Sequence, residues 1–68
     1  MKYTHDKCNV YAGKRIIAQA FLGDEGYDVR LLQGMDRTAT LAKIIEDCPE
    51  YAAEYDLQPN MRLRLFAN

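Results

Sequence analysis

The chain has 68 residues, of which 49% are hydrophobic and 28% charged, and its formal net charge is −1. This length predicts one compact domain over residues 1–68, because so short a chain buries only about 60% of its unfolded surface and cannot fill a second core. The composition excludes a disordered tail, and the near-neutral charge argues against a protein held to phosphate or membranes by general attraction.

The N-terminal third of the chain predicts a strand followed by a helix. Residues 2–6 are a candidate strand. Over residues 9–22 the apolar positions recur at steps of three and four, which is typical of an amphipathic helix, and Gly23 is suited to cap its end. These positions are Val10, Gly13, Ile16, Ile17, Ala20 and Phe21. A competing interpretation makes residues 14–22 a strand, because alternate positions there are also apolar. We favour the helix because Ala-Gln-Ala is poor strand material.

The middle of the chain predicts a strand and then a helix. Residues 27–33 combine aromatic and β-branched side chains, with Val29 and Leu31 on one face of the predicted strand. Gly34 then turns the chain, and Asp36 or Thr38 can cap a helix. The inner face of that helix consists of Leu41, Ile44, Ile45 and Cys48.

Pro49 decides how the second half of the chain is divided. Proline is tolerated in the first turn of a helix and disrupts a helix interior. We therefore end one helix near Asp47 and begin a short third helix at Pro49 that runs to about Asp56; a continuous, kinked helix is the alternative. After Pro59, residues 61–66 alternate as a strand does. The alternation places Met61, Leu63 and Leu65 inward and Arg62, Arg64 and Phe66 outward.

These elements predict a small α/β domain of the α+β class, with a two- or three-stranded sheet and two or three helices packed on one face. The other face of the sheet would stay open to solvent. We expect it to carry Arg30, Arg62, Arg64 and Phe66, together with Tyr3 or Thr4.

The sequence offers no catalytic signature, no metal-ligand spacing and no cofactor fingerprint. We therefore expect a non-enzyme without a metal or cofactor. Cys8 and Cys48 match no paired ligand spacing, and we interpret both as reduced thiols. The chain lacks the apolar run of a secretory signal or a membrane span, so we expect a cytoplasmic protein with no membrane partner.

Charge is segregated in one segment, EDCPEYAAEYD at residues 46–56, which has five carboxylates and no lysine or arginine. On a continuous helix Glu46, Glu50 and Glu54 would form one acidic stripe, whereas a break at Pro49 keeps only the last two together. A solvated helix face is the ordinary interpretation of such a segment. The functional interpretation is an interface, with tyrosines as anchors beside carboxylates. Its candidate residues are Glu46, Asp47, Glu50, Tyr51, Glu54 and Tyr55.

Our leading hypothesis from the sequence is a small protein-interaction module whose acidic helical segment binds a basic surface of a partner protein. By size and charge it fits the general type of a phage or mobile-element inhibitor of a host nucleic-acid-handling enzyme. The alternative is a single-stranded nucleic-acid-binding domain that uses Arg30, Arg62, Arg64 and Phe66 on the open sheet face. The protein would be a monomer, or a homodimer formed by pairing of the 61–66 strand.

Overall fold

The computed structural model describes residues 1–32 and 34–61 and the backbone of residues 63–65. Four strands come first, and two helices and a short fifth strand follow. The elements are β1 Thr4–Asp6, β2 Asn9–Ala12, β3 Arg15–Gly23, β4 Gly26–Leu31, α1 Arg37–Asp47, α2 Pro49–Glu54 and β5 Leu63–Leu65. This confirms the α+β class. The predicted number of strands was too small, since the described part of the chain contains five.

The strands form one sheet in the order β1-β2-β3-β4-β5. The first four strands pair with one another in antiparallel order and are joined by tight connections. The fifth strand is parallel to β4, with Leu63 beside Val29 and Leu65 beside Leu31. A parallel neighbour requires a crossover connection, and here α1 and α2 lie within it.

The prediction of a helix over residues 9–22 was wrong, because this region forms β2 and β3. Ala12 pairs with Arg15, so Gly13 and Lys14 are the two-residue loop of a β-hairpin. Gly13 has φ +66°, which suits the first loop position of a turn of this kind. Ala18 and Ala20 are buried, at 0% and 4% exposure, and this tertiary burial outweighs their low strand propensity.

An irregularity in β3 explains why two consecutive residues of this strand are buried. Val10 pairs with Ala18 and the next residue, Tyr11, pairs with Ile16, so Ile17 is an extra residue in β3. Such a bulge changes the phase of the alternation along a strand. Ile17 and Ala18 therefore both reach the core.

The predicted break between the two helices is confirmed. Asp36 caps α1 by accepting a hydrogen bond of 3.2 Å from the Thr38 backbone N–H. Cys48 ends this helix with φ −128° and ψ 64°, and Pro49 begins α2 in the position where a missing N–H costs least. Leu41, Ile44 and Cys48 are buried as expected from their spacing, and Ile45 is partly buried.

The core lies between one face of the sheet and the two helices. Alternate residues of the central strands supply the sheet side, and the helices supply Leu41, Ile44, Cys48 and Tyr51. The sheet residues are Val10, Ile17, Ala18, Ala20, Val29 and Leu31. Lys14 in the preceding loop and Arg15 at the first position of β3 are charged, and Asp24 and Glu25 follow the end of the strand.

The predicted C-terminal strand is confirmed at Leu63–Leu65, where the backbone pairs with β4. Met61 is partly buried and packs against the core, in agreement with its predicted inward position. Arg62 and Phe66 lie outside the described residues. The side-chain orientations predicted for residues 63–65 also lie outside what the structure describes.

Candidate functional surfaces

The acidic segment is divided between two helices. Glu46 is in the last turn of α1, whereas Glu50 and Glu54 are in α2, and all three are exposed. Because the backbone of Cys48 is not helical, the three glutamates do not lie on one helix axis. The exposed acidic face of α2 therefore consists of Glu50 and Glu54, with Glu46 on the preceding helix.

Asp47 belongs to the fold rather than to an exposed face. Its Oδ2 accepts a hydrogen bond of 2.9 Å from the backbone N–H of Tyr3 and lies 3.1 Å from Lys43 Nζ. The side chain is only 12% exposed. The hydrogen bond from Tyr3 is the main cause that lowers the pKa of this carboxyl, and Lys43 lowers it further. Asp47 thus joins the N-terminal segment to α1.

Tyr51 was predicted as an aromatic anchor of the interface, but the structure places it in the core. It is 1% exposed, and its hydroxyl donates a hydrogen bond of 2.7 Å to the backbone carbonyl of Cys8. Burial raises the pKa of this hydroxyl far above its usual value. The spacing of four residues correctly predicted that Tyr51 and Tyr55 share a helical face. It did not indicate that Tyr51 on this face is buried in the core.

Tyr55 keeps an accessible edge, as an interface residue must. It is half-buried, and its ring meets the ring of Tyr27 edge-on at 5.1 Å between centroids. The ring of Tyr51 lies at 4.8 Å on the inner side. Burial raises the pKa of the Tyr55 hydroxyl, and the adjacent charge of Glu54 raises it further. The sequence did not indicate Tyr27 as a neighbour of this segment.

A side-chain contact that the sequence did not reveal joins α2 to the edge strand β1. His5 Nε2 and Glu50 Oε2 are 3.3 Å apart, and 80% of the Glu50 side chain is exposed. The two residues are separated by 45 positions in the chain. Glu50 therefore remains accessible while it has one weak partner on the surface.

The open face of the sheet carries aromatic and polar side chains around a stacked pair. The Arg30 guanidinium lies 4.5 Å from the centroid of the Phe21 ring. Nearby, Gln19 Nε2 donates a hydrogen bond of 3.0 Å to Asn9 Oδ1, and Asn9 Nδ2 lies 3.4 Å from the Tyr11 hydroxyl. Among the described side chains of this face, the guanidinium of Arg30 and the rings of Phe21 and Tyr11 therefore lie beside neutral polar groups.

The structure locates only some of the residues predicted for the alternative nucleic-acid site. Arg30 lies on the open face as predicted, and Arg64 is its backbone partner in the parallel register. Arg62 and Phe66 lie outside the described residues. Phe21 and Tyr11 were missed because residues 9–22 were interpreted as a helix, although the alternation in residues 16–22 would have revealed Phe21.

Tyr3 and Thr4, which were predicted as alternatives for the open face, lie on opposite sides of the sheet. Thr4 is exposed and pairs with Tyr11, which places it with the open face. Tyr3 packs against the core, and Lys43 Nζ lies 5.0 Å from its ring centroid. Tyr3 is therefore on the helical side.

Across residues 1–32 and 34–61, no three His, Cys, Asp or Glu side chains cluster as metal ligands would. Cys8 and Cys48 are free thiols, and burial raises the pKa of Cys48. Neither helix in the described part of the chain has the length and apolar content needed to cross a membrane.

The chain matches no protein-family model, no curated protein and no solved structure.

Proposed function

We propose that this protein is a non-enzymatic interaction module that binds a basic surface of a partner protein through the exposed carboxylates of the 46–56 segment. The observation that supports the proposal is that some acidic-segment residues are bonded within the fold while others are exposed. Asp47 and Tyr51 have partners inside the fold, whereas Glu46, Glu50 and Glu54 point their charge to solvent. None of these three carboxylates is buried, so a partner can reach them, and Glu50 would exchange its contact with His5 for one with the partner.

The charge of the segment supports a basic target. Residues 44–61 contain no lysine or arginine, and Lys43, one helical turn before Glu46, pairs with Asp47 at 3.1 Å. A surface of one sign accelerates encounter with a surface of the opposite sign and disfavours partners of like sign. We propose a nucleic-acid-handling enzyme as the partner, because such enzymes carry basic surfaces, and an inhibitor encoded by a phage or mobile element as the biological role.

The test is capture of the tagged protein's partners from host lysate, with and without nuclease treatment. Glu46→Lys, Glu50→Lys and Glu54→Lys together should abolish capture, and the folded state should be checked by circular dichroism. Charge alone is controlled by comparing Glu54→Lys with Asp6→Lys, since Asp6 is exposed on β1 and outside the segment. Capture that survives the triple reversal, or that is lost equally in both single variants, would sink the proposal.

The second candidate function is binding of single-stranded nucleic acid on the open sheet face. The stack of Arg30 on Phe21 favours it, because stacked bases and phosphates are bound by aromatic rings and cations on sheets. Asp28 argues against nucleic-acid binding here, because it pairs with Phe21 across the strands and adds a negative charge beside the stack. We therefore rank it second.

Short oligonucleotides at low salt test this second function. A retarded band should weaken as salt rises, because phosphate binding releases counterions. Arg30→Ala should weaken it more than Arg37→Ala, which removes the same charge from the start of α1. No retardation at low salt would rule the function out.

A further inference from the structure

The last pair of core-facing positions on the central hairpin is left uncovered by the helices. Leu22 pairs with Tyr27 across β3 and β4, two positions beyond the buried pair of Ala20 and Val29. Side chains two positions apart share a sheet face. Leu22 is nevertheless 73% exposed and Tyr27 47% exposed. The apolar face of the sheet therefore extends past the layer that covers it.

The uncovered pair is continuous with the end of α2. The Tyr27 ring packs edge-on against Tyr55, which directly follows the last residue of that helix. Leu22, Tyr27 and Tyr55 thus form one surface, which we call the aromatic patch. Tyrosines are among the residues on which interface energy concentrates, and Leu22 adds exposed apolar area beside them.

Carboxylates lie on either side of the aromatic patch. Asp24 and Glu25 form the connection between β3 and β4, and Glu54 and Asp56 flank Tyr55 in the chain; all four are exposed. Residues 22–27 and 49–57 contain no lysine or arginine. The nearest cation along β4, Arg30, stacks on Phe21 on the opposite face of the sheet. The two described segments that border the patch are therefore acidic.

We propose that the aromatic patch is a docking site for a segment of a partner protein that carries an apolar side chain flanked by lysine or arginine. The apolar side chain would cover Leu22 and pack against Tyr27 and Tyr55, while the cations pair with the acidic rim. This proposal rests on the proposed function, because Glu54 belongs to both surfaces. It extends that function from charge alone to a mixed apolar and ionic contact that includes the β3–β4 connection.

The ionic and apolar contacts should affect different rate constants of binding. Exposed ion pairs on the rim are screened by salt and mainly affect the rate of association. An apolar side chain buried in the middle of the contact mainly affects dissociation. The patch should therefore discriminate a basic segment with an apolar residue from a purely basic one.

Three matched synthetic peptides test the site on the full chain. The first contains leucines among lysines, the second has serine in place of each leucine, and the third has glutamate in place of each lysine. Backbone amide resonances report where each peptide binds. The first peptide should shift the amides of Leu22, Tyr27 and Tyr55 and bind about tenfold more tightly than the second, with no binding of the third.

Matched variants separate the apolar contact from the charge. Leu22→Ser and Tyr27→Ser should each weaken the first peptide about tenfold. Ile16→Ser should leave binding unchanged, since Ile16 is also exposed but lies near the other end of β3. Because Leu22 is mostly exposed, its replacement should leave the fold intact.

The outcomes distinguish this docking site from the proposed function on which it rests. If both basic peptides bind equally and Leu22→Ser changes nothing, the docking site is overturned, whereas binding lost in Glu54→Lys keeps the acidic interface. If neither basic peptide binds, the docking site is overturned, and the capture experiment decides the proposed function separately.

Discussion

The Tyr51 hydroxyl and the Cys8 backbone carbonyl are joined by a hydrogen bond of 2.7 Å, although they are separated by 43 positions in the chain. The same carbonyl accepts a second hydrogen bond, of 2.8 Å, from the backbone N–H of Ala20. One oxygen therefore connects α2, the segment before β2, and β3. Tyr51 is thus a structural residue at the junction of the sheet and the helices.

Replacing Tyr51 should separate the energy of its hydrogen bond from that of its packing. Tyr51→Phe should lower the free energy of unfolding by about 1 kcal/mol, because Cys8 keeps its bond from Ala20. Tyr51→Ala should cost about 3–5 kcal/mol, since it leaves a cavity. Urea unfolding measures both, with Tyr55→Phe as the control. Equal damage from the two Tyr51 variants would contradict this assignment.

Asp47 should make stability depend on pH in the acid range. Its pKa is lowered in the folded state, first by the hydrogen bond from Tyr3, so the folded protein favours the ionised carboxylate. This stabilisation is fully present above the carboxyl's ordinary pKa of about 4 and is lost as the pH falls through the lower, folded-state pKa. Wild type should therefore exceed Asp47→Asn in stability at pH 7, and the difference should shrink below about pH 4.

Urea unfolding at pH 7, 5 and 3 measures this difference. Glu46→Gln is the control, because Glu46 is the exposed neighbour of Asp47. A difference that stays constant over the whole range would show that the carboxylate charge has no part in holding Tyr3.

Gly13 should resist replacement because of its backbone angle, and not for lack of space. A Cβ at this position would meet only Met1 side-chain atoms at 3.8 Å, which is ordinary contact. Its φ of +66° is unfavourable for any residue with a Cβ. Gly13→Ala should therefore destabilise the protein by about 1–2 kcal/mol. Thermal unfolding measures the loss, with Lys14→Ala as the neighbouring control. An unchanged Tm for Gly13→Ala would reject the hairpin turn at this position.

Asp56 offers a route to a more stable protein. It has φ +54° just beyond α2, and the next residue, Leu57, donates its N–H to the Ala52 carbonyl at 2.9 Å. This is the position after a helix where glycine is preferred, and a negative charge there also opposes the helix dipole. Asp56→Gly should stabilise the protein by about 1 kcal/mol. Asp24→Gly, at a position without positive φ, should give no such gain in the same urea unfolding assay.

The helices and β4 were predictable because their signals are local. Proline is tolerated in the first turn of a helix and disrupts its interior, so Pro49 favours a helix start, and Leu41, Ile44 and Cys48 repeat at helical spacing. Residues 9–22 satisfy helical and strand periods together, so the sequence alone could not separate them. Burial of Ala18 and Ala20 beneath the helices favours the strand conformation. That burial depends on residues far away in the chain.

In the candidate interface, too, local features were predictable from the sequence and long-range contacts were not. Glu50 and Glu54 were correctly expected to be exposed, because charge is costly to bury. The partner of Asp47, the Tyr3 N–H, is 44 positions away and leaves no trace in the local pattern. The aromatic patch was missed for a similar reason, since it combines Leu22 and Tyr27 of the hairpin with Tyr55 of α2.

The length of β3 separates opposite charges in space. Lys14 and Arg15 lie at one end of this strand and Asp24 and Glu25 just past the other, about 30 Å apart at about 3.3 Å per residue. This distance exceeds the Debye length of about 8 Å at physiological salt, so a partner senses the two ends separately. A positively charged surface would exert a torque on the free protein and turn the β3–β4 connection toward itself. The molecule would thus arrive with a preferred orientation before any side chains touch.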